Sequence, residues 1–137
     1  MLKFSGKSVL SGVAIGKLYI FKKQEYTLTK DKVADVEAEV ARFQDACEKS
    51  KEQLEKLYEK TLAEVGEEHA AIFDVHKMML EDLDYLEAIE AMIRDESVNA
   101  EYAVSTTGDS FAETFAMMDD DYFKARSADI LDISKRV

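Results

Sequence analysis

Proline is absent from this 137-residue sequence, tryptophan is absent too, glycine occurs five times and cysteine once. Three of the glycines (Gly6, Gly12, Gly16) fall in the opening stretch, so from about Asp31 onward little interrupts a helix. The lone Cys47 cannot staple the fold through a disulfide and reads as a small buried side chain rather than a reactive thiol. In the helical body uncharged apolar runs reach only four residues, as in Ala70-Ala71-Ile72-Phe73, well short of the roughly 18 residues a membrane-spanning helix needs. No signal-like charged and apolar regions open the chain, which points to the cytoplasm. Positive charge is scarce as well. Eighteen basic side chains stand against 29 acidic ones, for a net charge of −11. Residues 1–30 hold six lysines and one acid, whereas 31–137 hold 12 basic and 28 acidic groups. Such a body repels a phosphate backbone and leaves counterion release nothing to act on, so nucleic acid is excluded and a basic protein is the fitting partner.

What is present is enough to fold. Hydrophobic residues make up 47% of the chain, and its length suits one domain or a piece of a larger protein. From Leu2 to Lys23, β-branched and aromatic residues bounded by Gly and Ser read as two short strands around a turn. Two strands bury too little to stand alone, so they belong to a sheet not completed here. From Val33 the period changes. Val36, Val40, Phe43, Cys47, Ser50, Leu54, Leu57 and Thr61 alternate +4 and +3 steps, the seam of a long helix running to Val65. Gly66 stops it as a residue of positive φ. A second helical stretch covers Glu68 to Arg94, kinked near Glu81 to Asp84. Asn99 is the expected N-cap of a third, Ala100 to Met118, striped by Ala103, Val104, Phe111, Phe115 and Met118. Asp119, Asp120 and Asp121 supply negative charge where a last helix begins, with a seam of Phe123, Arg126, Ile130, Ile133 and Val137. The expected fold is mainly α: an antiparallel bundle of at least four helices made of two helical hairpins, preceded by a short β-hairpin.

A carboxylate-rich bundle invites a di-iron reading, but such a site needs Glu-x-x-His on two helices. Gly66 precedes His69 by three residues and Phe73 precedes His76, so the motif is absent and no metal site is expected. The two histidines could be phosphoryl acceptors or bases. Neither has a Cys or Ser nucleophile beside it, no phosphate-cradling glycine loop exists, and a surface His69 with a half-buried His76 is the plainer reading. Thr106-Thr107-Gly108 is a weak, turn-like interruption of a helix.

The anomaly lies after Gly66. Ala70, Ala71, Ile72, Phe73, Val75, Met78, Met79 and Leu80 point in too many directions for one core stripe. An apolar patch around Met78 and Met79, rimmed by Glu67, Glu68, Asp82 and Asp84, has the anatomy of a protein-docking surface unless another helix covers it. Arg126 sits on the last seam, where burial requires a partner: Asp129, a carboxylate of the Glu68 helix, or a place at the edge of that face.

Three stretches resemble the N-terminal part of Enzyme I, the phosphoenolpyruvate-protein phosphotransferase family of the bacterial phosphotransferase system. They are Gly12-Val13-Ala14-Ile15-Gly16-Lys17; Gly66-Glu67-Glu68 with Ala71-Ile72-Phe73, His76 and Met78 to Asp82; and Asp120-Asp121-Tyr122 with Lys124, Arg126, Ala128-Asp129, Asp132-Ile133 and Lys135-Arg136. The resemblance implies that residues 1–30 are the first strands of a truncated phosphohistidine domain and that 31–137 are the helical subdomain docking the phosphocarrier HPr. It implies an HPr-binding face at Glu67, Glu68, Ala71, Met78, Met79, Asp82, Tyr85, Phe123 and Arg126. The family's acceptor histidine lies in a Gly-Gly-x-Thr-Ser-His motif that this sequence lacks, so the segment alone is expected to carry no catalytic residue and no cofactor. The parent enzyme would use Mg2+, form a homodimer through another region, and serve sugar transport or a related phosphotransferase branch. A stand-alone acidic helical interaction module, unrelated to phosphoryl transfer, is the alternative that the first seam would serve equally well.

Overall fold

The long seam predicted from Val33 becomes helix α1, Val36–Glu64, about 44 Å of helix at 1.5 Å per residue. It starts three residues late because the backbone before it is engaged elsewhere. Val33 N–H donates to the Ser97 carbonyl and Asn99 N–H to the Asp31 carbonyl, both at 3.0 Å, so residues 31–33 lie against the connection at 97–99. Asp35 then caps the helix, its carboxylate accepting from Ala38 N–H at 3.0 Å. Val40, Phe43, Cys47, Ser50 and Leu54 are its buried stripe, and burial pushes the Cys47 thiol up to about 11, which leaves it unreactive. The computed structural model describes residues 3–7, 11–13, 15–17, 19, 20 and 27–137.

Gly66 has φ 105° and ψ 172°, a region open essentially to glycine alone. The expectation of positive φ is met, but not in the left-handed helical well: Val65 ends α1, and Gly66 opens α2 (Glu67–Met79) as its N-cap. The single kinked stretch expected over Glu68 to Arg94 is in fact two helices, α2 and α3 (Leu83–Glu96). Asp82 makes the break complete, because its carboxylate accepts from Tyr85 N–H at 3.0 Å and so starts a new helix. Leu80, wholly buried, pins the turn to the core. α3 ends at Ser97 in the left-handed region, φ 50° and ψ 48°.

Helix α4 runs Ala100–Ala116 and α5 runs Asp121–Arg136, the latter capped by Asp120, which accepts from Tyr122 N–H at 2.7 Å. Asn99 occupies the N-cap position of α4 without capping it. Its side-chain oxygen accepts instead from Asp31 N–H at 3.0 Å, and the amide of Ala100 donates to Glu39 of α1 at 2.7 Å. Glu39 and Glu101 hold Arg42 between them, 2.6 and 2.8 Å away, which ties the start of α4 to α1. The hydrogen bond from Arg42 holds the Glu101 carboxyl down to about 2.

Among the described residues five helices thus form two hairpins, α1 with α2 and α4 with α5, bridged by α3, which packs on α1 and α4. Phe43, Leu54, Leu80, Ile89, Ile93, Val98 and Ile133 are wholly enclosed at the centre. α4 and α5 approach closely at Gly108, where an added Cβ would stand 2.2 Å from Ser134 Oγ. Thr106-Thr107-Gly108 is therefore no interruption, since α4 passes straight through it. Ser134 donates to the Ile130 carbonyl at 2.7 Å, so its oxygen is left to accept from the Tyr85 hydroxyl at 2.8 Å.

The hairpin expected over Leu2 to Lys23 falls partly outside the described residues. Those described within it contain no strand, and Phe4, Val13, Ile15, Tyr19 and Ile20 are exposed. Deleting residues 1–24 is accordingly expected to change the stability of the bundle by less than about 1 kcal/mol in a thermal melt, since such exposed apolar groups contribute little burial. Gly108→Ala should cost more, about 1–3 kcal/mol in urea denaturation, because the new methyl overlaps Ser134 in a packed helix pair.

Candidate functional site

The break after Met79 ends α2 beside the α4–α5 turn, and between α2 and α5 opens a groove of about 290 Å³. Val75, Met78 and Met79 of α2 form one wall; Tyr122, Phe123 and Arg126 of α5 form the other. Tyr85, Phe111 and Phe115 lie between, with Asp82 at the turn. Six of the nine residues expected at a docking face meet here: Met78, Met79, Asp82, Tyr85, Phe123 and Arg126.

Their roles differ with exposure. Met78 is 65% exposed and Phe123 38%, so both stand at the lip, whereas Met79 is half-buried. Tyr85 is 3% exposed and belongs to the core. It floors the groove and cannot present its ring to a partner; burial pushes its phenol up to about 12. The aromatic groups brace one another edge to face, Tyr85 with Phe111, Phe115 with Phe123 and Tyr122 with Phe123, centroids 5.5, 5.7 and 5.5 Å apart. Glu67, Glu68 and Ala71 do not line the groove. They are exposed on the first turns of α2, where Glu67, Ala71, Val75 and Met78 recur at +4, +4 and +3 and so share one helical face leading to it.

Arg126 finds its partner on its own helix: Nη1 donates to Asp129 Oδ2 at 2.9 Å, and the guanidinium lies over the Tyr122 ring, 4.7 Å from its centre. That hydrogen bond to Asp129 holds the Arg126 guanidinium above its ordinary pKa. The other oxygen of Asp129 faces His76 Nε2 at 3.3 Å. His76 is buried, more so than the half-buried reading, while His69 is exposed as expected. The sequence offered His76 no orienting group because Asp129 lies 53 residues away. Phe111 and Phe115 were legible as a helical stripe but not as a groove floor, since which side of α4 meets an opening depends on how the hairpins pack.

The arrangement is built for binding. His76 has an orienting carboxylate but, among the described residues, no hydroxyl or thiol bonded to it that it could activate. Also among the described residues, no group of three or more His, Cys, Asp or Glu side chains is placed to hold a metal ion. An apolar centre with Asp82 at its turn and the exposed carboxylates of Glu67 and Glu68 further along α2 suits a partner with an apolar contact surface and a positive border. A larger depression of about 1210 Å³, between residues 27–31, α1, α4 and the end of α5, contains none of the nine residues.

Residues 5–126 match the family described as PEP-utilising enzyme, N-terminal. The phosphoenolpyruvate-protein phosphotransferase of Bacillus subtilis (strain 168) is 41% identical over 137 residues, all of this chain and 24% of that protein. The protein of the same description from Bacillus sp. (strain S) is 45% identical over 132 residues, 96% of this chain and 23% of that one. The chain thus spans about a quarter of the length of these curated relatives. A solution structure of Enzyme I superposes with TM-score 0.77 at 36% identity, over 82% of this chain and 46% of that one. The N-terminal domain of the nitrogen Enzyme 1 gives TM-score 0.72 at 29% identity, over 79% and 45%.

Proposed function

The chain belongs to the N-terminal family of phosphoenolpyruvate-utilising enzymes, and from that premise we propose that it is the part of a phosphoenolpyruvate-protein phosphotransferase that docks the phosphocarrier HPr. Residues 31–137 are the docking unit and 1–30 contribute strands to the phosphohistidine domain. The parent enzyme takes a phosphoryl group from phosphoenolpyruvate and passes it to a histidine of HPr. One observation supports the reading: Met78 and Met79 of α2, Asp82 at the α2–α3 turn, and Phe123 and Arg126 of α5, distant in the chain, meet at one groove.

Apolar side chains at the lip supply desolvation and short-range fit, and their loss acts on dissociation. The carboxylates of Glu67 and Glu68 act at longer range, steering a positive partner toward the groove. Phosphoryl transfer itself belongs elsewhere in the parent. His76 is enclosed against Asp129, His69 stands alone on the surface, and neither lies in the family's acceptor motif. The Mg2+ of the parent enzyme has no ligand cluster among the described residues, so no step runs through it here. No helix of the described residues is long and apolar enough to cross a membrane. In this reading the parent is a cytoplasmic enzyme that dimerises through another region.

Incubation of the chain with phosphoenolpyruvate and magnesium should leave its intact mass unchanged; a gain of one phosphoryl group on His69 or His76 would contradict the assignment. Surface-plasmon kinetics with HPr at two ionic strengths should separate the two contributions to docking. Met78→Ala is expected to raise the off-rate by the equivalent of about 1–2 kcal/mol with the on-rate unchanged. Glu67→Lys combined with Glu68→Lys should lower the on-rate and flatten its salt dependence. Absence of binding at millimolar HPr, or a chemical-shift footprint on α1, would sink the docking assignment.

A further inference from the structure

The two walls of the groove come from α2 and α5, which are not neighbours in the chain and pack on each other less than either packs on its hairpin partner. Among the described residues a single side-chain hydrogen bond joins them, His76 Nε2 to Asp129 Oδ1 at 3.3 Å. All three members of the cluster that contains it are largely buried, with side-chain exposures of 11% for His76, 17% for Asp129 and 21% for Arg126. α2 is also tied to its hairpin partner α1, where Lys77 bonds Glu55, so the end of α2 is held both to its own hairpin and, through His76, to the other. A carboxylate on α5 that meets a donor on α2 sets a distance between the helices, and its second oxygen, bonded to Arg126 on its own helix, fixes the direction in which the carboxylate faces.

We infer that Asp129 is a positioning residue of the groove: with one oxygen it holds His76 of α2, which fixes the spacing of the two walls, and with the other it holds Arg126 of its own helix, which aims the guanidinium at an acceptor on a docked protein. Arg126 commits Nη1 to Asp129, Nη2 donates to the Tyr122 hydroxyl at 3.4 Å and the guanidinium lies over the Tyr122 ring, so it is held in one place on the α5 wall with N–H groups left to donate to a docked protein. Asp129 need not touch the partner. A carboxylate facing an imidazole nitrogen selects the tautomer with its proton on that nitrogen, so His76 carries its proton on Nε2. The inference rests on the docking reading for its binding consequence and on the bundle alone for its structural one.

The test compares Asp129→Ala, Asp129→Asn, His76→Ala and His76→Gln in the 137-residue chain, with HPr as the probe. Asp129→Ala should raise the HPr off-rate on the order of tenfold, in the range typical of removing one partner from a buried, hydrogen-bonded charged pair. His76→Gln keeps an N–H donor near the Nε2 position and should lie within about threefold of the parent chain, whereas His76→Ala should follow Asp129→Ala. In Asp129→Asn one oxygen still serves Arg126 while the amide nitrogen faces His76. The imidazole proton should then move to Nδ1, which the nitrogen-15 shifts of His76 report directly and which a loss of general stability would not produce. An off-rate within twofold of the parent chain in a folded Asp129→Ala overturns the inference. Should that variant fail to fold, Asp129→Asn with unchanged His76 shifts and an unchanged off-rate overturns it as well. If the parent chain does not bind HPr, the docking reading fails by itself. The spacing role is then judged by hydrogen exchange, where Asp129→Ala must speed the amides of Val75 to Met79 relative to those of α1, and equal rates would refute it.

Discussion

Everything at the groove depends on the chain not continuing as a helix past Met79. Had α2 run on, its apolar residues would have spiralled around one axis, and the face carrying Met78 would have been covered over its whole length by α5 or left wholly to solvent. Leu80 is buried to zero exposure, and Asp82 begins a new helix by accepting from Tyr85 N–H. The hydrogen bond of that cap is worth about 1 kcal/mol, small beside the burial of Leu80 and Tyr85 at roughly 1.5–3 kcal/mol each. Burial decides that the chain turns, and the cap decides where. α3 is then free to reach across to α4, and the end of α2 is left beside the α4–α5 turn with Met78 outside and Met79 half-inside.

This geometry explains why one segment can be both over-apolar and stable. Ala70, His76 and Leu80 face inward, Val75 and Met79 stand at the wall, and Ile72 and Met78 remain exposed. The edge-to-face pairs brace the groove at two levels, Tyr85 with Phe111 at the floor and Phe123 with Phe115 and Tyr122 along the α5 wall. Methionine at the lip adapts its three rotatable bonds to whatever surface arrives. A firm floor with adaptable edges needs less ordering when a partner binds than a mobile loop would.

How much of this could be read beforehand divides along the range of the interactions involved. The seam of α1 was legible because Val40, Phe43, Cys47 and Leu54 repeat at helical spacing, and the need for glycine at 66 was legible because a positive φ penalises every other residue. Asp82 could be placed on the rim but not recognised as a cap, since the same aspartate in a continuous helix looks no different. The expected cap at Asn99 had the right position and the wrong partner: Asp31 competes for its side chain from 68 residues away, and Glu39 takes over the amide of Ala100 from 61 residues away. Tyr85 illustrates the same limit at the site. Alignment with the groove was readable from the resemblance, but its burial follows from the Ser134 hydroxyl and from Gly108, which lets α5 come close enough to offer it.

Arg126 completes the argument about what kind of surface this is. A guanidinium on an apolar seam is tolerated when its charge is matched and its plane is supported, and both conditions are met within one turn of α5 by Asp129 and Tyr122. The pair is neutral as a unit, so it does not offset the negative charge that Glu67 and Glu68 place on the first turns of α2. In the proposed docking, long-range attraction and short-range recognition therefore belong to different residues. There the acids of α2 act across solvent, while Arg126 offers directed N–H groups that matter only to a protein already seated between the two walls.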